Sequence, residues 1–141
     1  MNKPNIQKVV IAGIAGTLAM TVLRMLGPVA GFPKMDMGMM LGTNNPMMPM
    51  PYMVGWMMHF VIGVLLTYIY AAFVMGKLPG DGWQQGSIYS LAPWLVMSLV
   101  LAPMMGMPLF GGPIMAAIAG LLGHLAYGAT MGYIMGRPDN D

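Results

Sequence analysis

The stretch YMVGWMMHFVIGVLLTYIYAAFVM (Tyr52–Met75) runs for 24 residues without an Asp, Glu, Lys or Arg. At a rise of about 1.5 Å per residue, a helix of that length covers roughly 36 Å, enough to cross the ~30 Å hydrocarbon core of a bilayer. Three more stretches are long and mainly apolar: Val9–Val29, which holds Arg24, Ser87–Ala102 and Pro113–Met135. The third is short and contains Pro93. The apolar N-terminal stretch could pass for a cleaved leader, but Arg24 sits too late in it. The chain therefore reads as an all-α polytopic membrane protein with four transmembrane helices.

Composition supports this reading. Hydrophobic residues make up 57% of the chain and charged residues 7%. Soluble domains carry about 25% charged residues, so lipid is the expected solvent for most of the surface. A net charge of +2 is too small to suggest a nucleic-acid partner. The absence of Cys excludes disulfides and thiolate metal sites. There is no Glu, and Asp36, Asp81, Asp139 and Asp141 all lie outside the apolar runs. That argues against carboxylate catalysis and a carboxylate proton relay, and no enzymatic activity is expected.

Basic residues mark the cytoplasmic side of a membrane protein. Lys3, Lys8, Lys77 and Arg137 fall on one side of the predicted topology, and Lys34 alone falls on the other. Both termini are therefore expected in the cytoplasm, with the protein in the cell inner (cytoplasmic) membrane. Trp83 on the inner side, and Tyr52 and Trp56 on the outer side, suit interfacial anchoring. The linker Lys77–Trp83 contains Pro-Gly and Asp-Gly and predicts a tight turn. Residues 30–51 form a Met-rich outer loop, and residues 136–141 a polar tail.

The chain also resembles itself. Both of its histidines occupy the pattern Gly-x3-His-x3-Gly, as Gly55-His59-Gly63 and as Gly120-His124-Gly128. Tyr68-Ile69 and Tyr133-Ile134 keep the same spacing of 65 residues. Pro-x-x-Gly-x-Pro ends the first span as Pro28-Gly31-Pro33 and the third as Pro103-Gly106-Pro108. These motifs predict two pseudo-symmetric helix hairpins, 9–75 and 87–135, related by an axis along the membrane normal. Gly120, Gly128, Gly132 and Gly136 share a helix face, and Gly13 and Gly16 are paired in span one. Small faces of this kind let helices approach closely in lipid.

Two constellations could carry chemistry. Symmetry would bring His59 and His124 to one depth, where two imidazoles could ligate a haem b iron or share a metal, with flanking glycines clearing a face for a porphyrin. The simpler reading has the glycines packing helices and each His bonded to a nearby carbonyl or Ser, since polar groups in lipid seek partners. Arg24 is the one formal charge inside a span. It could contact an anion or a haem propionate; the simpler alternative is an ion pair with Asp36. The other constellation is methionine. Of 21, ten fall between Met35 and Met58, and Met104, Met105 and Met107 end span three on the same side. Thioethers are soft ligands that suit copper as Cu(I), and Met47, Met48, Met50 and Met53 are the candidate ligands. Met is equally a flexible apolar filler.

Gly31-Phe-Pro-Lys-Met-Asp-Met37, Gly55-Trp-Met-Met-His59-Phe-Val-Ile-Gly63 and Gly123-His124-Leu-Ala-Tyr-Gly128 together resemble an uncharacterised family of small four-helix bacterial and archaeal integral membrane proteins. The resemblance covers most of the chain and implies a fold without implying an activity. The functional expectation is an accessory or structural subunit that packs against other membrane subunits, or self-associates, through its Gly-rich faces. Cofactor binding and a small-solute channel or transporter are the alternatives.

Overall fold

The computed structural model describes residues 3–137. It contains four helices long and apolar enough to span a membrane: α1 (Ile6–Ala30), α2 (Tyr52–Val74), α3 (Gly82–Met104) and α4 (Ile114–Met135). The polar tail expected at 136–141 falls mostly outside the described residues. Three boundaries lie close to the sequence expectation, but α3 starts five residues earlier than Ser87. Its start is fixed by polar residues that hydropathy ignores. Asp81 and Gln84 form a capping box, with Gln84 Oε1 accepting from the Asp81 amide at 2.7 Å. Gln85 is buried and ties down the turn before it: its Oε1 accepts from Gly76 N (2.8 Å), and its Nε2 donates to Gly80 O (3.0 Å). Helical structure runs through Pro93 and relaxes into a π turn at Met97–Leu101.

The core joins large side chains, Val9, Met20, Tyr70, Tyr127, Met131 and Met135, to buried hydroxyls, Thr17, Thr67 and Ser90, while Ile11, Leu18, Val61, Leu65, Leu95 and Leu122 face outward. Outward aliphatics suit a lipid surround, and the glycine contacts suit helices that associate by close backbone approach. The closest seam lies between α3 and α4. A Cβ on Gly82 would sit 2.5 Å from the Gly132 carbonyl oxygen, and one on Gly86 would collide with the Gly128 carbonyl oxygen. Between α1 and α4, a Cβ on Gly16 would lie 2.9 Å from the Tyr127 carbonyl oxygen. Between α1 and α2, one on Gly13 would lie 2.7 Å from Val64 Cα.

One contact recurs in both hairpins. The second helix sets a glycine, Gly63 or Gly128, against a Gly-x3-hydroxyl face of the first, Gly13-Thr17 or Gly86-Ser90. The other contacts are less even. α1 packs against α4 along its length. α2 and α3 meet chiefly through aromatic residues: Tyr70 and Tyr89 have ring centroids 5.3 Å apart, and Tyr89 donates to Leu66 O at 2.9 Å. Tyr127 ties α4 to α2, donating to Gly63 O at 2.7 Å and lying 2.9 Å from Thr67 Oγ1.

The two Pro-x-x-Gly-x-Pro motifs are the same helix ending. Gly31 N bonds Pro28 O and Phe32 N bonds Gly27 O; Gly106 N bonds Pro103 O and Met107 N bonds Ala102 O. Both glycines are left-handed (φ +86 and +75), a conformation that favours glycine and turns the chain sharply off each helix. The loop after α1 is ordered as well. It forms a π turn, Met39–Thr43, that lies on the start of α2. Only glycine allows this: a Cβ on Gly55 would meet Gly38 O at 2.5 Å and Gly42 N at 2.7 Å.

Candidate functional site

All four helices contribute to a polar cluster in the half of the bundle nearest the Met-rich loop. α1 supplies Thr21 and Arg24, α2 supplies His59, α3 supplies Trp94, and α4 supplies Gly120, Gly123 and His124. His59 meets Thr21, one turn before Arg24 on α1, and His124 adjoins Gly123 on the part of α4 that packs against Arg24. Their hydrogen bonds fix their tautomers. A carbonyl oxygen can only accept, so His124 donates Nδ1–H to Gly120 O at 2.8 Å. The Thr21 hydroxyl donates to Thr17 O at 2.7 Å and is left to accept from His59 Nε2–H at 3.3 Å. A neutral ring then retains a bare Nδ1 on His59 and a bare Nε2 on His124.

The glycines of the histidine pattern are packed against protein. Gly55 carries the loop, Gly63 carries Thr17 and Gly128 carries Gly86. Gly120 is the floor for two side chains: a Cβ there would lie 3.2 Å from Trp94 Nε1 and 3.4 Å from Arg24 Nη2. Gly123 stands in the same relation to Arg24 Nε, at 3.1 Å. A porphyrin between the histidines would need these faces clear. They are filled, so the residues present do not fit a haem there.

Arg24 has a different environment from the one sequence suggested. It does not pair with Asp36. That carboxylate accepts from Tyr52 OH (3.0 Å) and from Met39 N (3.1 Å), because it caps the helical turn of the loop. Among the described residues the one ion pair is Arg137 with Asp81, both exposed, at the end of the bundle where α3 begins and α4 ends. Arg24 instead places Nη1 2.8 Å from the Met35 sulfur. Its Nε and the Trp94 Nε1 are both buried with no hydrogen-bond partner. A charge inside a bilayer is costly unless compensated, and buried donors are normally satisfied. Beside the guanidinium lies a cleft of ≈ 160 Å³, walled by Leu23, Leu26, Phe32, Ala116, Ala119 and Leu122. The arrangement offers one fixed positive charge on the wall of an apolar cleft, with the unpartnered indole N–H of Trp94 packed beside it over Gly120.

The methionine candidates lie elsewhere. Met47, Met48 and Met53 are 56%, 52% and 66% exposed. Asn45 Oδ1 accepts from the amides of Met47 (3.0 Å) and Met48 (3.3 Å) and fixes that turn at the rim. Met47, Met48, Met50 and Met53 line neither the cleft beside Arg24 nor the larger cup between Lys34 and Met107. The methionines that do share a cavity are Met35, Met39, Met40, Met105 and Met107.

Sequence reading singled out His59, His124 and Arg24, which the fold brings together, but missed Trp94 and Thr21. Trp94 did carry a signal. Tryptophan prefers the membrane interface, and this one lies mid-span beside Pro93. No curated protein and no solved structure matches the chain. The profile of one family, described as "Family of unknown function (DUF6789)", matches residues 4–141, and the chain belongs to that family.

Proposed function

We propose that this protein is a non-catalytic binding protein of the membrane that holds an anionic amphiphile on Arg24. The observation that carries the reading is the buried guanidinium without a carboxylate partner, beside the equally unpartnered indole N–H of Trp94. A phosphate or carboxylate in the cleft accepts from the guanidinium that lines it and neutralises the charge. A cavity of about 150 Å³ can hold a benzene-sized group. The cleft thus suits the head of the ligand and its first carbons. The remaining chain would lie along Leu26, Ile118 and Leu122, which are exposed.

The test is mass spectrometry of lipid extracted from protein purified in mild detergent. Wild type is expected to retain an anionic lipid close to one per chain. Arg24→Gln is expected to lose it. The head group recovered separates a phospholipid from a free fatty acid. Equal retention by Arg24→Gln, or recovery of zwitterionic lipid alone, would overturn the proposal.

The accessory-subunit reading stays second. It is favoured by the spans of α2 and α3, each only 17% buried within the chain, which leave broad faces for a neighbour. Transport gains less support, because the repeated hairpin alone speaks for it. The reading of the chain as two copies of one hairpin is also ours. The matched helix endings and the repeated Gly on Gly-x3-hydroxyl contact support it.

We further read the protein as an inner-membrane protein with both termini cytoplasmic. Lys8, Lys77 and Arg137 lie toward one face and Lys34 toward the other. The chain has no Cys, so single substitutions report cleanly. Lys77→Cys is expected to resist an impermeant maleimide in intact cells, while Met48→Cys is labelled. The reverse pattern would invert the topology.

A further inference from the structure

Where the loop after α1 meets the end of α3, the structure forms an open cup of ≈ 480 Å³ lined by Lys34, Met35, Asp36, Met39, Met40, Asn44, Met105 and Met107. We propose that this cup is a binding site for a soft monovalent cation, Cu(I) or its analogue Ag(I), held by the thioethers of Met39, Met40, Met105 and Met107.

Two segments more than sixty residues apart in sequence build the cup, and each is held by its own backbone. Asp36 caps the turn bearing Met39 and Met40 and is anchored by Tyr52. Gly106, at φ +75, forms the tight ending that sets Met105 and Met107 on either side of itself. Met35 also lines the cup, but its sulfur is against Arg24, which leaves four thioethers free.

Filler methionine belongs in a packed apolar setting. Met37, in the same loop, is such a residue, at 6% exposed. The four in the cup line an opening instead, and Met39 is 45% exposed. The local charges select the kind of ion. Lys34 and Asp36 offset each other, so the cup is close to neutral. Hard divalent ions need several oxygen ligands, commonly carboxylates, and the cup has one carboxylate, already engaged. Thioether ligands need no deprotonation and favour Cu(I). The ion enters as Cu(I), and binding involves no electron transfer.

The test is competition for Cu(I) against a chromogenic Cu(I) chelator under reducing conditions, with the full-length protein in detergent micelles. Wild type is expected to take up one equivalent with sub-micromolar affinity. Met39→Leu/Met40→Leu/Met105→Leu/Met107→Leu keeps side-chain size and is expected to weaken binding at least tenfold. Met47→Leu/Met48→Leu/Met50→Leu/Met53→Leu is expected to leave it unchanged. Circular dichroism and gel filtration check that both variants fold. Should one variant misfold, Ag(I)-induced shifts of 13C-methyl methionine signals in wild type assign the ligands directly. No saturable binding by wild type would overturn the site, and so would unchanged binding in the cup variant or signals that shift only in Met47–Met53.

Discussion

Gly128→Val is expected to cost this protein about 3 kcal/mol or more, lowering its melting temperature in detergent by on the order of 10 °C. The backbones of α3 and α4 come so close at this point that a Cβ on Gly128 would overlap the Gly86 carbonyl oxygen and lie 2.7 Å from Ser90 Cβ. The atoms met first belong to backbone, which cannot swing away as a side-chain tip can. The helices must separate, and every contact of the seam from Gly82–Gly132 to Ser90 loosens together. In lipid no hydrophobic driving force presses the helices back together, so close contact and weak Cα–H···O bonds carry the association. Gly27→Ala is the matched control. Gly27 has φ −51, and a Cβ there meets Phe32 Cβ at 3.4 Å, so the change is expected to be neutral within about 0.5 kcal/mol. Thermal unfolding followed by circular dichroism reads both. Equal melting of Gly128→Val and wild type would show that the seam is not a stability determinant.

Hydropathy located the spans because lipid-facing surface needs long apolar runs, and such runs are easily read. It placed the start of α3 late because Asp81, Gln84 and Gln85 stabilise the helix end by hydrogen bonds that an apolarity average counts as breaks. The glycine patterns signalled close approach, but not which partner fills each face. Gly120 is a case in point. It shares its pattern with Gly55, yet Gly55 carries a loop and Gly120 carries Arg24 and Trp94. That difference is tertiary, and a single helix sequence does not contain it. The same holds for methionine. The run Met47–Met53 drew attention by composition, whereas the cup is assembled from methionines of two segments far apart in sequence. Density along the chain and convergence in space are different quantities, and coordination depends on the second.

Arg24→Met is expected to have effects of opposite sign in two preparations. With lipid stripped away, wild type keeps a guanidinium inside the bundle with no carboxylate partner and with Nε unsatisfied. Methionine is apolar and has no charge to desolvate, and the desolvation of a buried ion costs on the order of several kcal/mol. The stripped variant should therefore melt at or above wild type. When an anionic amphiphile is added, the order should reverse. A ligand at about 100 times its Kd stabilises the protein that binds it by about 2.7 kcal/mol, and only wild type has the charge to bind. A zwitterionic amphiphile of equal chain length should stabilise neither. This crossing separates a ligand site from a structural role. If Arg24 acts mainly by bridging Met35 to the floor made by Gly120 and Gly123, its loss would lower the melting temperature in both preparations by the same amount. Parallel shifts of that kind would remove Arg24 from any account of binding.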